Sequence, residues 1–452
     1  MRILLIHPPS LDSFMDKVFM FEPLALEYLA AGMVEEGLEV KILDSRIEPD
    51  IMGCVQRYNP DFVGVTSYTA QLNIAKKVCE DIKALKPSVK IIFGGHHATV
   101  KPDDLNEPYI DAVVIGEGVY TLRELIRAYL SGGDVMSVSG LGIPSPDGLI
   151  YTHPREYTPL DDLPIPARYL TDKYRDHYFS EWFKPLASVR TSLGCTARCT
   201  FCALWSVTGG KYLKRSFDGI IKELRMVKED NVFFCDDESM CDVRRMDALA
   251  DEIKKAGIAK NYFLYARVDT IVRHPELFHK WAGIGLKQVF VGMEDFSDVR
   301  LREMKKNITS DQQAEAVRIL RECGIMMYAS FMVSPDYTPQ DFAMLKAYVR
   351  KLKLTYATFT VMTPLPGTEL YEMNKDKMLS HKPELFDMIH LLLPPQMPME
   401  DFYKELAKLY QEAVPFYKLL PVIFRFGFHG IFQRLGLLKQ FMNKVQNAHL
   451  DY

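Results

Sequence analysis

The sequence predicts an α/β protein: a doubly wound parallel sheet, then a partial (β/α)6 barrel, then a helical C-terminal region. Three patterns predict it. Short β-type runs alternate with amphipathic segments over residues 2–130, six strand-like runs with helical stretches between them recur from 186 to 370, and beyond Tyr371 the chain reads as helix. Strands that alternate with helices make parallel sheets, because each parallel crossover needs a helix to return the chain. The segments expected are 1–135, a connector at 136–185, 186–370 and 371–452.

In chain order, the first region reads RILLIHPP as strand, LALEYLAAGMVEEG as helix, LEVKILD as strand, a helix near Gln56, FVGVTS as strand, LNIAKKVCEDIKALKP as helix, then strands KIIFGG and AVVIG. Open α/β sheets bind ligands beyond the carboxyl ends of their strands. The turn residues there are small: Ser67, Gly94, Gly95, Gly116 and Gly118, which let a bulky ligand approach the backbone. The connector is rich in Pro and Gly (GLGIPSPDG, PLDDLPIPARY). The second region carries strands ASVRTS, NVFFCDD, YFLYARV, QVFVGME, MMYASFMVS and TYATFTVMTP, and barrel chemistry sits on loops after strand C-termini.

The bulk numbers narrow the function. With 452 residues, 48% of them hydrophobic, the chain is long enough for two cores and a smaller third element. A net charge of −4 sets up no basic field, so nucleic acid is not an expected partner. The N-terminal run MRILLIHPPS is too short for a signal segment and no apolar run reaches spanning length, so a cytoplasmic protein is expected. Eight cysteines, three of them clustered, do not form the dense framework of a small secreted domain. Cys54, Cys79 and Cys323 lie in helical patterns and read as inert core residues.

The cluster is SLGCTARCTFCALW: Cys195, Cys199 and Cys202 in a C-x3-C-x2-C array on the loop after the first strand of the second region. Iron–sulfur and structural zinc sites both take four ligands, so either a fourth cysteine, Cys235 or Cys241, completes a zinc knuckle, or one iron of a cube is left open. C-x3-C-x2-C with Phe201 before the third cysteine, at the mouth of a βα barrel, resembles the radical S-adenosylmethionine (SAM) superfamily. That resemblance implies a [4Fe–4S] cluster on Cys195, Cys199 and Cys202, with SAM at the fourth iron. It also implies roles along the barrel. FFCDDESM makes Asp236, Asp237 and Glu238 acceptors for the SAM amino group, with ordinary solvated carboxylates as the plain alternative; YARVDT makes Arg267 a bidentate partner for its carboxylate; VFVGMED makes Glu294 a partner for the ribose hydroxyls. TPLPGTELY places Pro364, Pro366 and Gly367 near adenine, and also reads as a plain turn. The fifth-strand region ASFMVSPDYT departs from relatives in lacking their glycines and acid–Thr ending.

Ahead of such a barrel, the first region resembles the cobalamin-binding domain of the B12-dependent branch of the superfamily. GVTSYTAQL, IIFGGHHAT and VVIGEGVYTL carry that likeness, and it implies corrin contacts at Ser67, Leu72, Gly94, Gly95, Glu117 and Gly118. The D-x-H-x-x-G loop of the methionine-synthase type is absent; the corresponding loop reads HPPSLDSF, so cobalamin bound without a histidine ligand is expected. His7 precedes a Pro-Pro pair and reads as packing, while His96 and His97 read as lining the corrin edge or bonding to backbone.

The last stretch, VPFYKLLPVIFRFGFHGIFQRLGLLKQFMNKV, holds Lys418, Arg425, Arg434, Lys439 and Lys444 and no acid. It reads equally as an interfacial helix in peripheral contact with the inner membrane face and as a core-docking helix with a basic outer face. The chain as a whole resembles the hopanoid C3 methylases and the anaerobic Mg-protoporphyrin ester cyclases. That likeness implies methyl transfer to an unactivated carbon of a large apolar, lipid or tetrapyrrole-like substrate through a 5′-deoxyadenosyl radical and methylcobalamin. It further implies an electron donor such as flavodoxin or ferredoxin. Ring closure or rearrangement without net methyl transfer is the alternative enzyme; a non-catalytic cobalamin or cluster sensor, and a zinc-stapled structural protein, are the alternatives outside catalysis.

Overall fold

The computed structural model describes residues 1–11, 15–180, 183–413, 436 and 439–452. Lys418, Arg425 and Arg434 of the basic C-terminal stretch lie outside the described residues. The chain forms two compact units, Met1–Gly194 with Ala203–Phe233, and Cys195–Cys202 with Phe234–Tyr452.

The first unit is built on strands β1 (Arg2–His7), β2 (Glu39–Asp44), β3 (Phe62–Thr66), β4 (Lys90–Gly94), β5 (Ala112–Val114), β6 (Leu141–Ile143) and β7 (Ile150–Tyr151). They lie in the order β2-β1-β3-β4-β5-β6-β7, parallel as far as β5. Alternation along β1 explains why both faces are covered. Leu4 and Ile6 join one buried cluster with residues of α2 (Ile51–Tyr58) and α3 (Leu72–Leu85); Ile3 and Leu5 join the other, with α1 (Leu24–Glu35) and α5 (Gly118–Ser131). The strand order reverses between β1 and β3, which sets a crevice at their carboxyl ends. Two strands of this sheet were not expected. β6 and β7 extend the sheet antiparallel from within the Pro/Gly-rich stretch, where strands of three and two residues leave no readable alternation.

Further along the first unit come β8 (Leu186–Val189), α6 (Leu204–Thr208), α7 (Phe217–Met226) and β9 (Asn231–Phe234), at whose end the second unit takes over. The second unit continues the βα repeat with β10 (Asn261–Tyr265), β11 (Leu286–Glu294), β12 (Met326–Val333) and β13 (Tyr356–Val361), neighbours paired in parallel. All six strand-like runs of the barrel region therefore form strands. Their helices start where capping residues allow: Asp242 accepts from Arg245 N before α8 (Val243–Lys255), and Thr309 and Thr338 form capping boxes before α12 (Ser310–Glu322) and α13 (Pro339–Lys351). After the barrel, α15 (Met399–Ala413) is the long C-terminal helix among the described residues. None of the described helices is long and apolar enough to cross a membrane. Cys54 and Cys79 are fully buried in the first core, as expected; Cys323 instead sits at the end of α12, where it is half-buried.

Candidate functional site

In the first unit, three loops gather at the carboxyl edge of β3, β4 and β5. Ser67 follows β3, is buried, and its Oγ has no hydrogen-bond partner within the protein. Its carbonyl accepts the amide of His97 at 3.1 Å, which ties it to the loop after β4. Gly95 has φ +99°, and a Cβ there would run into Thr66 Oγ1, so the Gly94–Gly95 turn passes this close only without a side chain. Thr99 Oγ1 donates to Gly95 O (3.0 Å) and accepts from Gly116 N (3.1 Å), joining the second loop to the third. Glu117 caps α5 by accepting Val119 N at 2.5 Å, and Gly118 opens that helix.

The other residues expected near the corrin have different duties. Leu72 is 2% exposed in the core under the sheet, so it seats the loop and offers almost no surface to a ligand. His97 places Nδ1 3.1 Å from Thr69 Oγ1 and Nε2 3.3 Å from the Asp104 carboxylate, a structural commitment. His7 turns Nδ1 to the Pro8 carbonyl, and burial, helped by Arg46, lowers its pKa to about 4, leaving it neutral. His96 differs from both. Its Nδ1 is buried without a partner and its ring centroid lies 5.7 Å from that of the exposed Tyr68.

In the second unit, the cysteine loop is held by its backbone. Cys202 N donates to Cys199 O at 3.2 Å; between them, Thr200 N donates to Met304 O (3.1 Å) and Thr200 O accepts from Leu370 N (2.9 Å). Leu370 belongs to α14 (Glu369–Asn374), which Thr368 caps directly after Pro366 and Gly367. The Pro366 turn is therefore joined to the loop between the second and third cysteines. Arg267, just past β10, points Nη1 at Cys199 Sγ (3.9 Å), gives Nε to Asp269 (2.9 Å) and Nη2 to Lys306 O (2.8 Å). Burial pushes the Cys195 thiol up to about 11 while Arg267 pulls it down.

Beyond β9, Asp236 and Glu238 are buried and Asp237 is half-buried. Glu238 Oε1 accepts the Arg267 amide at 3.3 Å, but Oε2 and the neighbouring Ser239 Oγ have no partner within the protein. Burial raises the Glu238 pKa to about 7. At the end of β11, Glu294 is ion-paired with Lys306 at 2.6 Å, both side chains 8% exposed. Glu294 also has φ +64°, a left-handed conformation that costs a non-glycine residue on the order of 1–3 kcal/mol and clusters at ligand sites. Sequence reasoning missed Lys306, Asp269 and Ser239. Gly292, the glycine two residues before Glu294 in the VFVGMED stretch that pointed to it, makes room for the pair: a Cβ there would collide with Glu294 Oε1 and stand 2.8 Å from Lys306 Nζ.

These residues fit the groups the sequence implies. Cys195, Cys199 and Cys202 share one backbone-held loop with the Arg267 guanidinium at Cys199, a donor set of the kind a cysteine-ligated cluster takes, although among the described residues no three His, Cys, Asp or Glu side chains converge as a metal site. A buried carboxylate with one oxygen left over, beside an unmatched buried hydroxyl, suits a ligand bearing an ammonium, and the unmatched Ser67 hydroxyl in a glycine-lined crevice suits a large polar-edged cofactor.

Comparison with known proteins agrees. The B12 binding domain family matches residues 18–126 and the radical SAM superfamily matches residues 189–349. The chain is 30% identical over 452 residues to an uncharacterized methyltransferase of Pyrococcus horikoshii (95% of this chain, 96% of the relative). It is 29% identical over 418 residues to the hopanoid C-3 methylase of Methylococcus capsulatus (91% and 80%), and 26% identical over 403 residues to the anaerobic magnesium-protoporphyrin IX monomethyl ester cyclase of Rubrivivax gelatinosus (86% and 71%). In fold it is similar to the radical S-adenosylmethionine methyltransferase TsrM of Kitasatospora setae, with a TM-score of 0.73 at 18% identity, covering 92% of this chain and 89% of that one. Both domain families in this order, and 30% identity along nearly the whole of a methyltransferase, show that the chain belongs to the cobalamin-dependent radical SAM methyltransferase family.

Proposed function

We propose that this enzyme transfers a methyl group to an unactivated carbon of a large apolar small molecule, lipid or tetrapyrrole-like. The observation that carries the substrate class is a row of aromatic rings across the second unit. Tyr265, Phe290, Tyr328 and Tyr356 stand opposite one another in register on four successive strands, with ring centroids 5.1, 5.2 and 6.3 Å apart. All four are half-buried, whereas Val289, Val291 and Met293 on the other face of β11 are fully buried. Gly292 shares the face of Phe290, and Glu294 closes the strand after a register shift, beyond the row toward the carboxyl end. A continuous aromatic wall, edged by the hydroxyls of its three tyrosines, favours a flat or extended hydrocarbon surface with a polar rim over a charged one.

Around that wall each side chain takes a task. Cys195, Cys199 and Cys202 would hold the cluster, with Arg267 offsetting their thiolate charge and offering its fork to a carboxylate. Glu238, with Asp236, Asp237 and Ser239, would accept an ammonium; Glu294 would accept vicinal hydroxyls; the Pro366 turn would border a purine. Ser67, Gly94, Gly95, Glu117 and Gly118 would line the corrin edge. When bound, the cluster with SAM supplies a carbon-centred radical and the corrin a methyl group. The aromatic row excludes water from the carbon to be attacked, and a one-electron donor of the flavodoxin or ferredoxin kind would feed the site.

A second reading, ring closure without net methyl transfer, is favoured by the 26% identity to the cyclase. Anaerobic incubation with methyl-deuterated SAM, cobalamin, reductant and a lipid and pigment extract separates the two. Deuterated methyl in an apolar product supports methylation; a dehydrogenated or cyclised product without label supports ring closure and defeats the proposal.

A further inference from the structure

The turn that ends α11 (Asp298–Glu303) touches three parts of the second-unit site: the cysteine loop, Arg267 and Glu294. Lys305 N donates to Arg302 O and Lys306 N to Leu301 O, both at 3.0 Å, and Lys305 has φ +53°. This is a Schellman closure, which fixes the backbone of residues 304–306 by the helix's own carbonyls. From this fixed frame Met304 O receives Thr200 of the cysteine loop, Lys306 O receives Arg267 Nη2 at 2.8 Å, and Lys306 Nζ reaches Glu294 at 2.6 Å. Lys305 Nζ adds an exposed pair with Glu369, next to the Leu370 amide that holds Thr200.

A stability role explains this poorly. A buried ion pair is weak evidence for stability, since well-packed apolar residues often serve as well. Here the pair also requires a left-handed Glu294 and a glycine at 292, two local costs that apolar residues would avoid. Residues that stay strained and paired are expected where a ligand clamp has to be held in place.

We propose that Lys306 is a positioning residue for SAM: it sets the separation between Arg267, through its carbonyl, and Glu294, through its ammonium, in register with the cysteine loop. The inference rests on the proposed roles of Arg267 and Glu294. The test uses full-length protein reconstituted with cluster and cobalamin, with SAM affinity from equilibrium dialysis and the electron paramagnetic resonance of the reduced cluster read with and without SAM. Lys306→Met is expected to weaken SAM binding about tenfold or more, the loss typical of a buried charged hydrogen bond, and to diminish the SAM-induced spectral change at wild-type iron and cobalamin content. Lys306→Arg is expected to recover most of both. Gly292→Ala, which displaces the pair but keeps its charges, serves as the second variant and is expected to behave like Lys306→Met. Wild-type affinity and spectra in both Lys306→Met and Gly292→Ala would overturn the proposal. A fully loaded wild-type protein that binds no SAM would instead overturn the site reading beneath it.

Discussion

At the scale of single residues, the sequence disclosed what is written in fixed spacing and little of what depends on three-dimensional neighbours. Cys195, Cys199 and Cys202 were legible as candidate ligands because ligands carried on one loop must be close in sequence. Cys199→Ala is expected to abolish 5′-deoxyadenosine formation while cobalamin stays bound; retained formation, followed by chromatography, would remove the cluster assignment. Glu238 was legible as a strand-end acid, but not its burial. That burial holds it near neutrality, with a pKa of about 7, so the carboxylate is largely protonated below that pH and charged above it. SAM affinity is therefore expected to rise from pH 6 to 8, and Glu238→Gln to be weaker and flat across the range in the same titration. Lys306 could not be found by spacing: it follows an ordinary helix end, and its partners Arg267 and Glu294 come from beyond β10 and from the end of β11.

Among elements, strands and helices were legible wherever periodicity ran long enough. The βα alternation placed all six strands of the barrel region, and the Ser67, Gly94–Gly95 and Gly116–Gly118 loops do share one sheet edge. The two-residue and three-residue strands at 141–151 were lost in a Pro/Gly-rich stretch. The aromatic row was hidden for a different reason: Tyr265, Phe290, Tyr328 and Tyr356 are widely separated in sequence, and only strand register aligns them. Phe290→Ala and Tyr328→Ala are each expected to weaken apolar-substrate binding by about 1–3 kcal/mol, read as a raised KM, with cluster content and SAM affinity unchanged. Lost SAM binding in these variants would mean that the row supports the SAM site rather than the substrate.

For the whole molecule, a buried charge network in the first unit fastens distant parts of the chain. Glu22 and Glu229 both pair with Arg175, Arg168 reaches Glu223 at 2.7 Å, and Thr171 donates to Glu27 at 2.5 Å. No sequence pattern announced it, because its members come from α1, the connector and α7 to β9. Arg175→Ala leaves Glu22 and Glu229 buried without that partner and is expected to cost about 3–5 kcal/mol in denaturant unfolding. Burial, then Glu22, hold the Glu27 carboxyl well above its ordinary 4.5. The folded state thus keeps a proton that the unfolded chain releases, so this contribution to stability is full below pH 4.5 and is lost as pH rises toward 8. Glu27→Gln is expected to flatten the fall in Tm between pH 5 and 8.

The family and the fold leave the reaction itself as the central claim, and the products of SAM test it most directly. Reconstituted anaerobically with cobalamin, reductant and an apolar extract, the enzyme is predicted to form S-adenosylhomocysteine together with 5′-deoxyadenosine, since methyl delivery and radical generation each consume one SAM. 5′-Deoxyadenosine without S-adenosylhomocysteine would contradict methyl transfer and assign the same site to ring closure or rearrangement.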